Sequence, residues 1–530
     1  MYIAVVPNRS SPPAILLRES FRLHGKVRSR TLANLSHWDP ARIAALRRAL
    51  RGDFDQLTAA DPTLGPVFGL LYALKTIADE LGLAAALGRS RLGRLALFLV
   101  LARLAHQGSR LSAVRWAQDQ AVAEVLGLGP FDEDDLYAAL DDLCARQEKI
   151  EGALYQRYRR RRGAPPTLFL YDVTSTYLEG EHNALGEFGY NRDGKRGKLQ
   201  IVIGLLADRA GEPLAVRVFA GNTADPGTVA EQIRVVKEQF GVEELVFVGD
   251  RGMVKSKGKQ ALREAGLRYI TALTDPQIRR LLAEGTLQMD LFSETVCEVE
   301  AEGVRYVLRK NEAEAAREQH RLEDKLARLQ GKVEQRNQLV PASPRCQPEA
   351  GLRQLQPWIV RHKLAGLVEL RLEGRTLVVV RQEAISRALE LAGCYVVTTD
   401  VPKQQLAAQA VHDSYVGLQK VERDFRTLKT GLLEIRPVFV RKQSRTRGHV
   451  LSCLLALKLS REIEQRLQAA FGTTDGNPHA ITLPDALTSL SRLCLLHYPV
   501  NSTTTVTRLP LPDARQKEIL TALGVALPAT

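Results

Sequence analysis

The chain has 530 residues, 45% of them hydrophobic and 25% charged. That is the make-up of a globular protein of roughly two to four domains, and it excludes a disordered, collagen-like or disulfide-scaffold class. The 74 Lys plus Arg against 60 Asp plus Glu leave a formal charge of +14. The excess is local: residues 1–60 hold 10 basic and 4 acidic side chains, and residues 423–447 hold 8 and 2. Such a surplus points to a polyanion, because neutralising phosphates releases counterions, and a solvated basic face is the competing account.

The longest apolar run, Leu95 to Ala102, is far short of the ~20 residues a membrane span needs. The first residues lack the basic, apolar and small-residue series of a secretion signal, so a cytosolic protein with no membrane partner is expected. Six scattered cysteines (144, 297, 346, 394, 453 and 494) form no C-x-x-C pair, and the ten histidines show no H-E-x-x-H spacing. Reduced thiols follow, and any metal must be held by oxygen.

In chain order, Tyr2 to Pro7 and Ala14 to Phe21 read as strands around a turn-rich segment, so residues 1–38 are expected to form a small basic β arm. From Asp39 to about Arg162 the apolar period is helical, with an acidic helix start at Asp132–Asp135. Residues 39–163 are therefore expected to be a helical domain, closed by Arg159-Arg-Arg-Arg162 and Gly163-Ala-Pro-Pro166.

Beyond that the period becomes extended. Thr167–Tyr171, Leu199–Leu206 and Pro213–Phe219 read as three successive strands, then a helix from 228 to 240, strand Leu245–Gly249, a helix near 255–265 and strand Tyr269–Leu273. Hairpin-linked strands followed by alternating helix and strand predict an α/β mixed sheet covered by helices over 164–280. Residues 281–392 interrupt it as an α+β insertion, with a charged helix at 312–339 between strand-like Cys297–Leu308 and Leu367–Val380. The sheet resumes over 393–470 with strand Gly393–Asp400, one long helix at 402–429 and another at 444–467. The tail, 471–530, reads as loop-rich with a last helix near 514–523.

Three acids carry the chemistry. Asp172 is expected just after the first sheet strand, and Asp250 just after Leu245–Gly249, where Gly249 and Gly252 let a ligand approach. Taken singly, an Asp at a strand end is more often a turn or capping residue. Glu422 lies in Tyr415–Lys429, where Tyr415, Leu418, Glu422, Arg426 and Lys429 fall on one helical stripe. A carboxylate flanked by a phenol and a cation suits a metal ion with phosphates passing by; a surface salt-bridge ladder is the alternative.

These segments resemble the DDE transposases of bacterial insertion sequences, in the group with the Tyr-(2)-Arg-(3)-Glu-(6)-Lys signature. Tyr415, Glu422 and Lys429 keep that spacing, whereas Leu418 stands at the Arg place. Phe188–Gly194 with Gln200, Phe219–Asp225, Arg436–Phe439 and Arg447–Val450 add to the likeness, which covers about residues 168–460.

The resemblance implies a ribonuclease H-like catalytic domain in which Asp172, Asp250 and Glu422 hold two magnesium ions, replaceable by manganese. Those ions would cut and join DNA by in-line displacement. It implies double-stranded DNA partners, both terminal inverted repeats and target, a homodimer in the synaptic complex, and action in the bacterial cytosol. Reading of the repeats then falls to residues 1–160, with the helical domain at 39–163 serving DNA-end binding or dimerisation.

Tyr415 and Lys429 are then expected on phosphates, with Lys420, Arg423 or Arg426 substituting at the Leu418 position and Arg251 beside Asp250. Arg445, Arg447 and His449 are candidates to line the DNA channel. The loop from Gly189 to Gly197, with Arg192, Lys195, Arg196 and Lys198, is a phosphate-binding turn or an ordinary hairpin tip. Trp358 and Tyr306 are candidates to stack on an extruded base, against a reading as buried aromatics. The rival functions are a ribonuclease H-like nuclease without strand transfer and a transposase-derived DNA-binding protein without catalysis.

Overall fold

The computed structural model describes the chain except residues 10, 24, 53–61, 164–165, 343–346, 430–432, 438, 474–476, 478, 500–504 and 529–530. Cys346, Val438 and part of the boundary expected at 163–166 therefore lie outside the described residues. The five described cysteines are free thiols. No helix among the described residues is long and apolar enough to cross a membrane.

The chain forms two units that cut across the segments drawn from sequence: residues 1–77, 115–129 and 463–530, and residues 78–114 with 130–462. In the first unit Tyr2–Val6, Ala14–Leu23 and Lys26–Asn34 make an antiparallel sheet. The third strand went unforeseen because its cations hide the alternation, and it is exposed along its whole length. Thr63–Val67 pairs with Cys494–Pro499, which pairs in turn with Thr505–Arg508. The supposed helical run at 39–163 thus contains a strand, and its partner comes from the supposed loop-rich tail. That tail also has a helix at Leu483–Leu490, started by a Thr482/Asp485 capping box, and the expected last helix at Ala514–Leu523.

The second unit is built on an eight-stranded sheet. Its strands are β1 (Leu168–Tyr177), β2 (Gln200–Asp208), β3 (Pro213–Ala220), β4 (Val246–Gly249), β5 (Arg268–Ala272), β6 (Cys297–Ala301), β7 (Val304–Lys310) and β8 (Cys394–Thr399), in the order β6-β7-β8-β5-β4-β1-β2-β3. β1, β2 and β3 are antiparallel, while β4 and β5 run parallel to β1. This is a ribonuclease H-like mixed sheet flanked by helices. All nine residues of β2 are buried, as its unbroken Ile-Val-Ile-Gly-Leu-Leu-Ala run requires of a strand covered on both faces.

One face of the sheet carries a core of Phe169, Tyr171, Val173, Phe247 and Tyr269, closed by Tyr155 and Tyr158 from the helix Gln147–Arg162 and by Phe240. Tyr155 stacks on Phe240 with centroids 4.1 Å apart. The single strand expected at Cys297–Leu308 is the β6–β7 hairpin turning at Gly303, and it joins the main sheet through β8. The helices Glu312–Ala342 and Pro348–Arg361 instead close a separate core of Leu326, Leu329, Val333, Leu355 and Ile359 under the hairpin Val368–Glu373/Thr376–Arg381. Trp358 packs against that core and stacks on His362 at 3.8 Å, and Tyr306 packs in a neighbouring cluster, so both are packing residues.

The long helix expected at 402–429 is two, Ala408–Val416 and Leu418–Lys429, parted at Gly417. The next helix runs from Gln443 to Phe471, and Gly448 is where it meets the helix Glu133–Ala145. A Cβ there would stand 2.0 Å from the Leu140 carbonyl oxygen, a contact that backbone cannot yield. Gly448→Ala is therefore expected to cost about 1–3 kcal/mol or more, read as a lowered urea midpoint. An unchanged midpoint would mean that the two helices separate freely.

Candidate active site

Alternation along β1 sorts its residues between two faces. Phe169, Tyr171 and Val173 enter the aromatic core, which leaves Asp172 on the opposite face with Leu170. A Cβ on Gly417 would lie 3.6 Å from Leu170 Cδ2, so the start of the helix Leu418–Lys429 crosses that face. Asp172 is thus in the middle of a strand and not after its end. The β-branched stretch Val173-Thr-Ser-Thr carries the strand on, and it pairs with β2 as far as Tyr177 and Gln200.

Asp250 does follow its strand. Because Tyr171 pairs with Gly249 on the neighbouring parallel strand, the next residue of each strand is an acid, and Asp172 and Asp250 stand side by side. Asp250 Oδ1 accepts the Arg251 amide at 2.7 Å and the Tyr415 hydroxyl at 3.1 Å. Asp172 Oδ1 accepts the Val173 amide at 2.8 Å.

Glu422 is exposed on its helix, yet its charge reaches Asp172. Burial pushes the Asp172 carboxyl up to about 7, and the negative charges of Asp250 and Glu422 push in the same direction, against the hydrogen bond from the Val173 amide and the charge of Arg192. Burial and the bond to Asp250 likewise raise the Tyr415 phenol. Acids that repel one another in a half-buried site are what a cation relieves. The donors are all carboxylate, which suits a hard ion. Among the described residues, however, no three His, Cys, Asp or Glu side chains are drawn together as the ligand shell of one ion.

The other expected residues divide. Lys429 Nζ pairs with Asp193 at 2.7 Å. Arg423, Arg426 and Arg251 are exposed. Lys420 Nζ donates to the Arg209 carbonyl at 3.0 Å, turned to the far side of the helix from Glu422. Leu418, at the Arg place of the signature, is 7% exposed and belongs to the core. Arg445 pairs with Asp141 at 3.1 Å and lies over the Tyr137 ring. Arg447 lines a recess beside Cys144 and Arg217. His449 is 1% exposed, its ring bonded to the Ile435 carbonyl and to Arg110, so it does not line a channel.

Sequence reasoning passed over Asp225. It starts the helix Asp225–Arg234, pairs with Arg192 at 2.6 Å, and its Oδ2 lies 3.5 Å from where a Cβ on Gly252 would be. It is thus a further carboxylate at the turn that follows Asp250. Its place after a strand, in Gly221-Asn-Thr-Ala-Asp225, was the available signal.

Two family models match the chain: an IS1634 family transposase N-terminal domain over residues 3–62, and a transposase DDE domain over residues 163–459, more than half of the chain. The chain belongs to the DDE transposases. It is a DNA transposase, an enzyme of DNA cleavage and strand transfer in a family that binds DNA and uses divalent metal. No curated protein matches it significantly. Among solved structures it is similar to the piggyBac transposase synaptic complex with hairpin DNA, at 9% identity over 75% of this chain and 69% of that one, with a TM-score of 0.34. It is also similar to the Mos1 transposase paired-end complex with left transposon end, at 11% identity over 33% and 57%, with a TM-score of 0.15. Neither likeness is close enough to argue from.

Proposed function

We propose that Asp172, Asp250 and Glu422 are the catalytic acids of this transposase and that they hold two magnesium ions, for which manganese can substitute. The observation that carries the reading is the Tyr171–Gly249 pairing, which sets Asp172 beside Asp250, with the charge of Glu422 reaching Asp172. Bound divalent ions would polarise the scissile phosphodiester and activate the attacking water or 3′-hydroxyl.

The chain's own residues do the rest. Tyr415 orients Asp250 through its hydroxyl. Arg251, Arg423 and Arg426 meet phosphates on the exposed side, and Lys429 does so once it leaves Asp193. Lys420, Arg445 and Arg447, which lie away from that surface, are assigned to more distant phosphates of the duplex. We assign recognition of the terminal inverted repeats to the basic N-terminal region, synapsis to a homodimer, and the site of action to the bacterial cytosol.

The test uses a labelled duplex of the inverted repeat flanking the gene, with magnesium or manganese and a target plasmid. Cleavage followed by joining of the 3′-ends to the plasmid is expected, with a two-protein complex by sedimentation. Cleavage without joining would support the nuclease reading, and binding without cleavage the inactive binder. Arg423→Ala is expected to weaken binding of all sequences alike and to lower the slope of log K against log salt by about one. An unchanged slope would remove Arg423 from the phosphate path.

A further inference from the structure

The loop between β1 and β2 presents two aromatic rings to solvent on either side of a glycine. Tyr190 is 83% exposed and Phe188 65%. The backbone beneath them is held fast. Gln200, 1% exposed at the start of β2, donates its side-chain amide to the carbonyls of Tyr190 at 3.2 Å and Gly221 at 2.7 Å. Its own backbone exchanges two hydrogen bonds with Glu187. A Cβ on Gly189 would stand 2.2 Å from the Gly221 oxygen and 2.6 Å from the Gln200 amide nitrogen. The exposure of these rings is thus built into a fixed support and does not come from slack in the chain.

The support stands at the carboxylates. Two residues after Tyr190, the Arg192 amide donates to Ser175 Oγ at 3.0 Å, on the strand that carries Asp172. The Arg192 guanidinium pairs with Asp225, lies 5.8 Å from the Tyr190 ring centroid, and acts electrostatically on Asp172. Lys195, Arg196 and Lys198 follow, all exposed.

We propose that this loop is a base-binding site: Tyr190, with Phe188 beside it, stacks on an unpaired nucleobase of the DNA strand lying across the carboxylates, while Lys195, Arg196 and Lys198 meet the adjoining phosphates. Aromatic faces interleaved with cations match the alternation of base and phosphate along a single strand. Base faces inside a duplex are covered by their neighbours, so the occupant is a base freed from pairing at the cleaved end. Lys198 already meets Glu179 at 3.3 Å and Lys195 lies over the Tyr177 ring, and a neutral apolar protein surface would offer none of the three cations a further anion. The inference rests on the transposase reading and names the part of the substrate that the site holds.

Two versions of the flanking inverted-repeat duplex test it, both without divalent metal so that no cleavage occurs. One is fully paired; the other has its last three pairs mismatched, with 2-aminopurine among the unpaired bases. The wild-type chain is expected to bind both and to quench the 2-aminopurine. Tyr190→Ala is expected to abolish the quench and weaken binding of the mismatched end roughly tenfold or more, leaving the fully paired end near its wild-type affinity. Tyr190→Trp is expected to restore both signals. A quench that survives in Tyr190→Ala and in the Phe188→Ala/Tyr190→Ala double variant would overturn the proposal while leaving the transposase reading intact. Failure of the wild-type chain to bind either duplex would overturn both.

Discussion

Replacing Asp172 by asparagine is expected to reduce DNA cleavage by well over about 100-fold, because even residues that only support a metal ligand cost roughly 10- to 100-fold when lost. Binding of the transposon end should persist, since the exposed Arg251, Arg423 and Arg426 are untouched. Burial, with Asp250 and Glu422 alongside, pushes the Asp172 carboxyl up to about 7. A folded-state value above the unfolded one means that the charged form works against folding. The penalty starts as pH rises past the ordinary carboxylate range and is complete above about 7. Asparagine carries no charge, so in metal-free buffer at pH 8 the variant should melt higher than the wild type. A variant both more stable and inactive cannot owe its inactivity to misfolding. Retained cleavage would remove Asp172 from the catalytic set. Asp250→Ala and Glu422→Ala should be equally inactive, but Asp250→Ala also strips the Tyr415 hydroxyl of its acceptor and is the less clean experiment.

The parts of this site that were legible in sequence are those set by local pattern. A compact apolar run ending in an acid announced β4 and Asp250, and offsets of three and four announced the helix of Glu422. Punctuation along the chain is a weaker guide. The strand of Asp172 runs on past the acid, as the β-branched and aromatic composition of Val173-Thr-Ser-Thr-Tyr177 allows. Gly417 divides the helix and puts Tyr415 on a different element from Glu422.

What depends on distant partners was not legible. Nothing in Thr63-Leu-Gly-Pro-Val67 states that it pairs with Cys494–Pro499. Nothing local shows that Lys429 faces Asp193 or that Asp225 comes up to Gly252. His449 is close to Arg447 along the chain, yet positions two apart on a helix point to nearly opposite sides, and His449 lies in the interior.

The helix Gln147–Arg162 supplies the largest expected loss of stability. Glu151 in its middle is 1% exposed and faces Arg217 of β3, with Nη1 at 2.8 Å from Oε2. Oε1 also accepts from Gln147 at 2.9 Å and from the Val216 amide at 3.1 Å, and Oε2 from Gln239 at 3.0 Å. Gln239 is brought there by the wider π-helical turn Val235–Gln239 and accepts from Arg217 Nη2 at 2.7 Å. Every lone pair of the acid is answered, which is the condition under which a buried charge is tolerated. Glu151→Ala removes the acceptor and leaves Arg217, itself 9% exposed, with Glu231 as its carboxylate partner at 3.2 Å. The expected cost is about 3–5 kcal/mol, read as a lowered urea midpoint. Arg217→Ala should cost a similar amount. The double variant should cost clearly less than the two together, because each single change strands the other's partner. Strict additivity would show that the two side chains stabilise independently. Since the same helix carries Tyr155 and Tyr158 into the core that backs Asp172, Glu151→Ala should also lose cleavage activity on warming well before the wild type does, although no atom of Glu151 belongs to the proposed catalytic set.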